Sequence, residues 1–125
     1  MSESPAIGTV GWQDLTVSDP ERVRDFYKTV VGWESSPVDM GDYSDFNMML
    51  PGSDKPMAGV CHARAGNADL PPVWILYFIV ESVERSAQAC VDGGGQLLSP
   101  IRTAGGGSYC VIKDPAGAVC AIYQP

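Results

Sequence analysis

The sequence is poor in basic residues, in histidine and in long apolar runs. Its 125 residues include 8 Lys and Arg against 15 Asp and Glu, with a single histidine, so the formal net charge is −7. An acidic surface repels phosphate backbones and anionic lipids, and we therefore expect neither nucleic acid nor a membrane as a partner. The most apolar stretch, residues 73–80, is far shorter than the about 20 residues that span a bilayer.

A targeting signal and a cysteine-based metal site are also missing. The first five residues are polar and acidic, the reverse of the basic and then apolar opening of a signal peptide, so we expect a cytoplasmic protein. No Cys-x-x-Cys pair is present, which argues against a zinc site built from cysteines. Each cysteine lies in or beside an apolar run, and we expect reduced thiols in the core. The four are Cys61, Cys90, Cys110 and Cys120.

The first half of the chain predicts a strand, a helix and three strands. Residues 7–17 have the pattern of a strand. Asp19 and Pro20 are typical of a helix start, and Gly32 of a helix end, so we predict a helix over residues 20–31. Turn residues separate three further predicted strands. These cover residues 33–40, 43–50 and 57–63.

The same order returns after a polar linker at residues 64–72. A strand at 73–80 precedes Ser82, which predicts the start of a helix over residues 83–92. Three more strands are predicted, at 96–102, 107–113 and 118–124. The glycines within residues 104–107 fit either a tight hairpin or a mobile loop.

The two halves can be aligned on each other as an internal repeat. An offset of 63 residues places Asp19 on Ser82 and Gly32 on Gly95, without a gap from the first strand through the helix. An offset of 59 aligns the last strands of the two halves, the closing strands, and places Cys61 on Cys120.

Several short motifs in this order resemble one known family. The matching segments are residues 12–19, 25–27 with 32–33, 77–80, 93–95 and 114–117. On these segments the chain resembles the vicinal oxygen chelate superfamily, which joins glyoxalase I, bleomycin-resistance proteins and extradiol dioxygenases. The resemblance implies an α+β fold with two tandem βαβββ modules, at residues 7–63 and 73–124. Within a single domain of residues 1–125, they would form a cupped, half-barrel mixed sheet.

The resemblance also places a metal site, at positions on the first and last strand of each module. Carried over to this sequence, the positions are Trp12, Ile75, His62 and Ala121. Indole nitrogen has no available lone pair, and Ile and Ala are hydrocarbons, so only His62 offers a metal ligand. A stable divalent site needs three or four protein ligands, so we expect no metal and no other cofactor. An improvised site from Asp14, Asp45 and Cys61 is the weaker alternative.

We predict that this metal-free cup binds a small molecule. The predicted ligand-binding residues are Trp12, Asp14, Asn47, Met49, His62, Ile75, Tyr77, Tyr109, Ala121 and Tyr123. Strand alternation places Trp12, Asp14 and Thr16 on one face. Asp14 either contacts the ligand or bonds a nearby donor to fix the barrel. The rings of Tyr77, Tyr109 and Tyr123 could contact a small molecule or could equally be ordinary residues of the hydrophobic core.

Alternation also divides the residues of the strand predicted at 43–50 between its two faces. Asp45, Asn47 and Met49 share one face, whereas Phe46 and Met48 share the other, which we expect to pack on a helix. Asp45, Asn47 and Met49 would then either line a ligand pocket or lie on a solvent-exposed outer face of the sheet.

The last strand of the first half contains the single histidine. His62 and Cys61 should point to opposite faces, so a Cys–His catalytic pair is not expected. His62 serves either as a proton acceptor or ligand contact, or as a hydrogen-bonded strand residue without chemistry.

Three functions follow as hypotheses. The first is a binding protein for a small, partly apolar molecule. A cationic group on that molecule would be attracted by the negative net charge of the protein. The second is a metal-independent lyase or isomerase that uses Asp14 or His62 for proton transfer. The third is an accessory or assembly domain with a vestigial pocket. We also expect a homodimer. Exposed edge strands leave backbone N–H and C=O groups unpaired, and the twofold symmetric dimer is the commonest closed oligomer.

Overall fold

The computed structural model describes residues 5–125 and divides the chain into two compact units. The first unit is Gln13–Trp74, and the second comprises Ile75–Pro125 with the described residues up to Trp12. The polar opening of the sequence, residues 1–4, lies outside the described residues. The organisation as one domain of two modules stays a prediction.

The first unit contains one long helix and a mixed sheet. Its elements are β1 (Val10–Val17, which begins in the second unit), α1 (Pro20–Val30), β2 (Glu34–Asp39), β3 (Ser44–Met49), β4 (Pro56–His62) and a short 3-10 helix at Ala65–Asn67. The strand order is β2-β3-β4-β1. The pairs β2–β3 and β3–β4 are antiparallel, and β4 is parallel to β1. The parallel pair is possible because α1 carries the chain back to the start of the sheet.

The predicted start of α1 is confirmed. The Asp19 carboxylate accepts a hydrogen bond from the backbone N–H of Arg22 at 3.3 Å, and Pro20 occupies the first helical position. Gly32, just past the end of the helix, has φ +87°, a conformation that glycine adopts without strain. The helix therefore begins and ends where its local sequence predicts.

One face of the first unit's sheet packs against α1. Phe46, Met48 and Val60 are buried there, with Val23 and Tyr27 of the helix packed against them. Alternation on β3 placed Phe46 and Met48 on the helix-packed side, and that prediction is confirmed. The opposite face of β1–β4 is called the helix-free face.

The second unit also combines one long helix with a mixed sheet. Its elements are β5 (Trp74–Ile79, whose first residue belongs to the first unit), α2 (Val83–Asp92), β6 (Gln96–Leu97), β7 (Arg102–Ala104), β8 (Gly107–Lys113) and β9 (Val119–Gln124). The strand order is β5-β9-β8-β6, with β7 also paired to β8. Strands β5 and β9 are parallel, and the pairs that involve β8 are antiparallel. Ser82 caps α2 by accepting a hydrogen bond from the N–H of Arg85 at 3.2 Å.

The strand predicted at residues 96–102 is wrong, because two short strands, β6 and β7, replace it. Between them, the Ser99 hydroxyl accepts a hydrogen bond from the N–H of Val111 at 3.0 Å, in place of a ladder bond. Pro100 follows and has no N–H to donate. The side chain of Ser99 thus interrupts the ladder between β6 and β7, which both run antiparallel to β8.

The glycine-rich segment between β7 and β8 is a tight hairpin, which decides between the two predicted alternatives. Ala104 pairs with Gly107, and the two residues between them, Gly105 and Gly106, have φ values of +58° and +85°. A two-residue hairpin turn of this kind requires positive φ at both central positions. Glycine supplies that conformation at little cost.

The predicted α+β class is confirmed. Each unit combines one helix of ten or more residues with a mixed sheet. Within residues 5–125, we find no helix with the length and apolar character needed to cross a bilayer.

Candidate functional site

The helix-free face of the first unit carries a polar row centred on a glycine. Gly59 of β4 pairs with Asp14 of β1 on one side and with Asn47 of β3 on the other. Both neighbouring side chains are half-buried. Gly59 has no side chain, and the Cα atoms of the two outer residues are about 10 Å apart, at two strand spacings. The Asp14 carboxylate and the Asn47 amide therefore flank a buried residue without a side chain, and this position at Gly59 is called the notch.

The same face continues onto the next row and onto β2. Thr16 pairs with Cys61, Ser36 with Asn47, and Glu34 with Met49. Thr16 is buried, whereas Cys61 and Met49 are half-buried. Oxygen-bearing side chains therefore dominate this face, with apolar contributions at its margins.

The strands of the first unit contain acidic residues and no lysine or arginine. Their carboxylates belong to Asp14, Glu34, Asp39 and Asp45. The Glu34 carboxylate accepts a hydrogen bond from the N–H of Gly52 at 2.7 Å. Among the described residues of these four strands, none is Lys or Arg. By register Asp14, Glu34 and Asp45 lie on the helix-free face and make it acidic, whereas Asp39 pairs with Ser44 on the opposite face.

Cys61 lies between two of these carboxylates. Burial raises the pKa of the Cys61 thiol, and the charges of Asp14 and Asp45, together with a hydrogen bond to Asp45, raise that pKa further. Negative charge and low solvation both disfavour a thiolate. The thiol is therefore neutral and serves as a hydrogen-bond donor, not as a nucleophile.

Asp45 also bonds the single histidine. One Asp45 carboxylate oxygen accepts hydrogen bonds from the backbone N–H of His62 at 2.9 Å and from its ring Nδ1 at 3.0 Å. Since a carboxylate only accepts, Nδ1 carries a proton. The other ring nitrogen, Nε2, lies 3.5 Å from a carboxylate oxygen of Glu21 in the first turn of α1. His62 therefore contacts acidic side chains through both ring nitrogens.

The strand register places His62 on the side of the sheet that packs against α1. His62 pairs with Val17 and Val60 with Leu15, and both Val60 and Val17 belong to the core beneath α1. Cys61 points to the opposite face, as predicted. The imidazole therefore lies at the first turn of α1, away from the notch.

The register also corrects the repeat of the closing strands. Asp14 pairs with Gly59, and Tyr77, which is Asp14 shifted by 63, pairs with Ala121. The offset of the closing strands is therefore 62 (121 − 59), and the predicted offset of 59 is wrong. Gly59, not His62, is the counterpart of Ala121, and His62 is the counterpart of Gln124.

In the second unit, aromatic residues dominate the corresponding face. Tyr77 pairs with Ala121, and Tyr109 pairs with Tyr123, so these four share one face by register. The rings of Tyr77 and Tyr109 are 5.9 Å apart, and Ile75 is fully buried on the same strand as Tyr77. The Tyr123 hydroxyl donates a hydrogen bond to the carbonyl of Ala104 at 2.7 Å. That phenol therefore holds the β7–β8 hairpin.

The predicted ligand-binding residues thus fall into separate groups. Asp14, Asn47 and Met49 share the helix-free face of the first unit, whereas His62 lies on the other face. Half-buried Trp12 lies two residues before Asp14 on β1. The sequence interpretation missed Gly59, whose only signal is the pairing between distant strands.

A groove of about 430 Å³ also lies in the second unit, beside α2. It is lined by residues that include Ile7, Ser82 and Arg85. None of the predicted ligand-binding residues lines this groove, so it does not coincide with the predicted site.

The metal site that the resemblance implies does not fit the side chains at its positions. Trp12, Ile75 and Ala121 offer no metal-binding atom, and the corrected register adds Gly59 to that set. His62 lies on the opposite face, with both ring nitrogens directed at carboxylates. Over residues 5–125, no three His, Cys, Asp or Glu side chains are grouped as metal ligands.

Comparison with curated proteins finds relatives of moderate identity. "Putative glyoxylase CFP32" of Mycobacterium bovis is 31% identical over 123 residues, which is 94% of this chain and 46% of the relative. "Anthracycline biosynthesis protein DnrV" of Streptomyces peucetius is 27% identical over 135 residues, covering 95% of this chain and 48% of the relative. The chain spans about half the length of these curated relatives.

Several solved structures have the same fold as this chain at low sequence identity. A methylmalonyl-CoA epimerase from Mycobacterium tuberculosis has a TM-score of 0.60 at 14% identity, covering 99% of this chain and 93% of the other. A glyoxalase/bleomycin resistance protein/dioxygenase superfamily member from Vibrio splendidus has a TM-score of 0.59 at 15% identity, covering 94% and 100%. The family model for Glyoxalase/Bleomycin resistance protein/Dioxygenase superfamily matches residues 7–122. The chain therefore belongs to the glyoxalase/bleomycin resistance protein/dioxygenase superfamily.

Proposed function

We propose that the chain binds a small, partly apolar molecule and holds a cationic group of that molecule on the helix-free face of the first unit. The observation that carries the proposal is the presence of two half-buried carboxylates on this face, Asp14 and Asp45, whose charges both act on Cys61. A buried or half-buried carboxylate interacts strongly with a cation, because water screens the pair less than it does at the surface.

The notch at Gly59 gives this proposal a geometry. Asp14 would pair with an ammonium or amidinium group, and Asn47 would accept or donate a second hydrogen bond across the notch. Met49, at the margin of the face, would contact apolar atoms, since its flexible thioether adapts to irregular shapes. The predicted contacts in the second unit, and those of Trp12 and His62, stay predictions.

The proposal is tested with three ligands that share a ring and differ in charge: benzylamine, benzyl alcohol and benzoate. We expect only benzylamine to raise the melting temperature, by an amount that grows with the logarithm of its concentration above the Kd. Asp14→Asn should weaken benzylamine binding roughly tenfold or more, because a hydrogen bond to a charged group contributes about 1.5–3 kcal/mol. Asp54→Asn, in an exposed turn of the same unit, is the matched control and should bind normally. Equal binding of benzoate, or normal binding by Asp14→Asn, would refute the proposal.

We also propose that this binding does not involve a metal. Three of the four positions implied by the family, Trp12, Ile75 and Ala121, have no metal-binding atom, and His62 supplies one bond where three or four are needed. Elemental analysis of protein purified without chelator should find less than stoichiometric metal. Trp12→His should remain metal-poor, because it restores only one further ligand. Stoichiometric zinc or iron bound through His62 would contradict the proposal.

The enzyme hypothesis and the homodimer stay predictions. Asp45 orients the His62 ring, as an acid–base pair requires, but Nε2 is directed at Glu21 and not at the notch. A lyase or isomerase reaction at the notch would therefore depend on Asp14. The third hypothesis, an accessory domain with a vestigial pocket, predicts that none of the three probe molecules binds.

A further inference from the structure

We infer that the chain docks on a second copy of itself, with Phe26 on α1 of one copy held in the groove beside α2 of the other copy. The groove has no role in the proposed function. This contact is independent of that function, because none of the predicted ligand-binding residues takes part in it. The two surfaces would form the interface of the predicted homodimer.

Phe26 is an aromatic side chain that the fold leaves in solvent. It is 56% exposed, and Val30, one helical turn further along α1, is 63% exposed. Residues four positions apart lie side by side on a helix, so the two form one apolar surface, called the α1 patch. Every other aromatic side chain in residues 5–125 is buried or half-buried. An exposed aromatic residue beside a second exposed apolar residue is typical of a protein interface.

The ring of Phe26 rests on a fixed support. Its plane lies at 90° to the ring of Tyr27, with centroids 5.1 Å apart. The Tyr27 hydroxyl accepts a hydrogen bond from the indole N–H of Trp74 at 3.1 Å, and the centroids of these two rings are 5.2 Å apart. A side chain on such a support loses little conformational entropy on binding. Phe26 therefore has the properties of an anchor residue at an interface.

The groove beside α2 provides an apolar recess for such an anchor. Its volume is about 430 Å³, and Ile7, Val80 and Ala89 form the apolar part of its wall. The groove is larger than one aromatic ring, so Val30 can enter beside Phe26. Ile7 is itself 64% exposed, and an apolar partner would remove it from water as well.

The internal repeat relates the α1 patch to the groove. The offset of 63 residues places Phe26 on Ala89 and Val23 on Ser86, and both residues of α2 line the groove. Small side chains on α2 thus occupy the positions at which α1 has an aromatic ring and a branched side chain. The same chain therefore has a protruding ring on one helix and a recess at the equivalent position of the other.

Net charge also favours contact between α1 of one copy and α2 of the other. The helix α1 has more basic than acidic residues, three against two, although the chain as a whole has a net charge of −7. The segment 81–92, which contains α2, has three acidic residues against one basic residue, namely Glu81, Glu84 and Asp92 against Arg85. Opposite net charges attract, whereas two α1 helices or two α2 helices would bring like charges together.

The contact is tested by sedimentation equilibrium of the full chain over micromolar concentrations. We expect the wild type to associate. Phe26→Ala removes the anchor, and Ala89→Phe fills the groove with a side chain of its own copy. Each should raise the dissociation constant at least about thirtyfold, the loss typical of an anchor residue. Val91→Ala is the matched control, because Val91 is 50% exposed on α2 and does not line the groove, and it should associate normally.

A mixture of the two variants distinguishes a lost interface from a lost fold. Phe26→Ala keeps an intact groove, and Ala89→Phe keeps an intact α1 patch, so an equimolar mixture retains one complete contact between unlike copies. We expect the mixture to associate more strongly than either variant alone and more weakly than the wild type. A general loss of stability in either variant would not give this recovery.

Three results would overturn the inference: a monomeric wild type, normal association of either variant, or a mixture that associates no more than its components. Benzyl alcohol provides a further test of what occupies the groove. If the wild type is monomeric and benzyl alcohol raises its melting temperature but not that of Ala89→Phe, the groove binds a small molecule and not a second copy.

Discussion

Gly107→Ala should lower the free energy of unfolding by about 3 kcal/mol, the upper part of the range for an overpacked site. An added Cβ at Gly107 would lie 2.3 Å from the backbone oxygen of Gln124 and 2.7 Å from the Tyr123 hydroxyl. The first of these atoms belongs to the neighbouring strand β9 and can move only if the β8–β9 pair separates. The second would have to leave its hydrogen bond to Ala104.

Gly106→Ala is the matched control for this first prediction. Gly106 has φ +85° and open space around its Cα, so alanine there meets backbone strain and no clash. The expected cost is about 1 kcal/mol, and urea unfolding of both variants measures the difference. If Gly107→Ala proves as stable as Gly106→Ala, the close packing of Tyr123 and β9 on this hairpin is wrong.

Cys61 should react with iodoacetamide at pH 8 at least about a hundredfold more slowly in the folded protein than in protein unfolded in urea. The thiolate is the reactive form, and each unit by which a thiol pKa rises lowers its population tenfold at a fixed pH. Burial and the charges of Asp14 and Asp45 raise the pKa of Cys61 in the folded state. Mass spectrometry after timed labelling would measure the rate at each of the four cysteines.

The raised pKa of Cys61 also fixes the direction of a stability change with pH. Below the ordinary thiol pKa of 9.0, Cys61 is protonated in both folded and unfolded chains and contributes no pH dependence. Above that value the unfolded chain loses the proton while the folded chain keeps it, so stability falls as pH rises. Cys61→Ala should therefore lose less stability than the wild type between pH 8 and pH 10. Labelling of folded Cys61 within tenfold of the unfolded rate would contradict this explanation.

Local sequence alone determined the starts of the two helices and the buried face of β3. Asp19 and Ser82 supply oxygen atoms to backbone N–H groups three residues later, so the helix starts depend only on neighbouring residues. The alternation of Phe46 and Met48 with polar residues fixed the buried face of β3, because successive side chains of a strand point to opposite faces. The motifs at these elements were also sufficient to predict the superfamily.

The tertiary structure decided which residues face each other across the sheet. Alternation within one strand shows which side chains share a face of that strand, but it does not show which residues of two strands pair across forty residues of chain. The predicted offset of 59 and the observed offset of 62 differ by an odd number, and an odd shift moves every side chain to the opposite face. The packing of Val17 and Val60 beneath α1 sets the register of β1 and β4. That register places Gly59 at the notch and His62 beside Glu21.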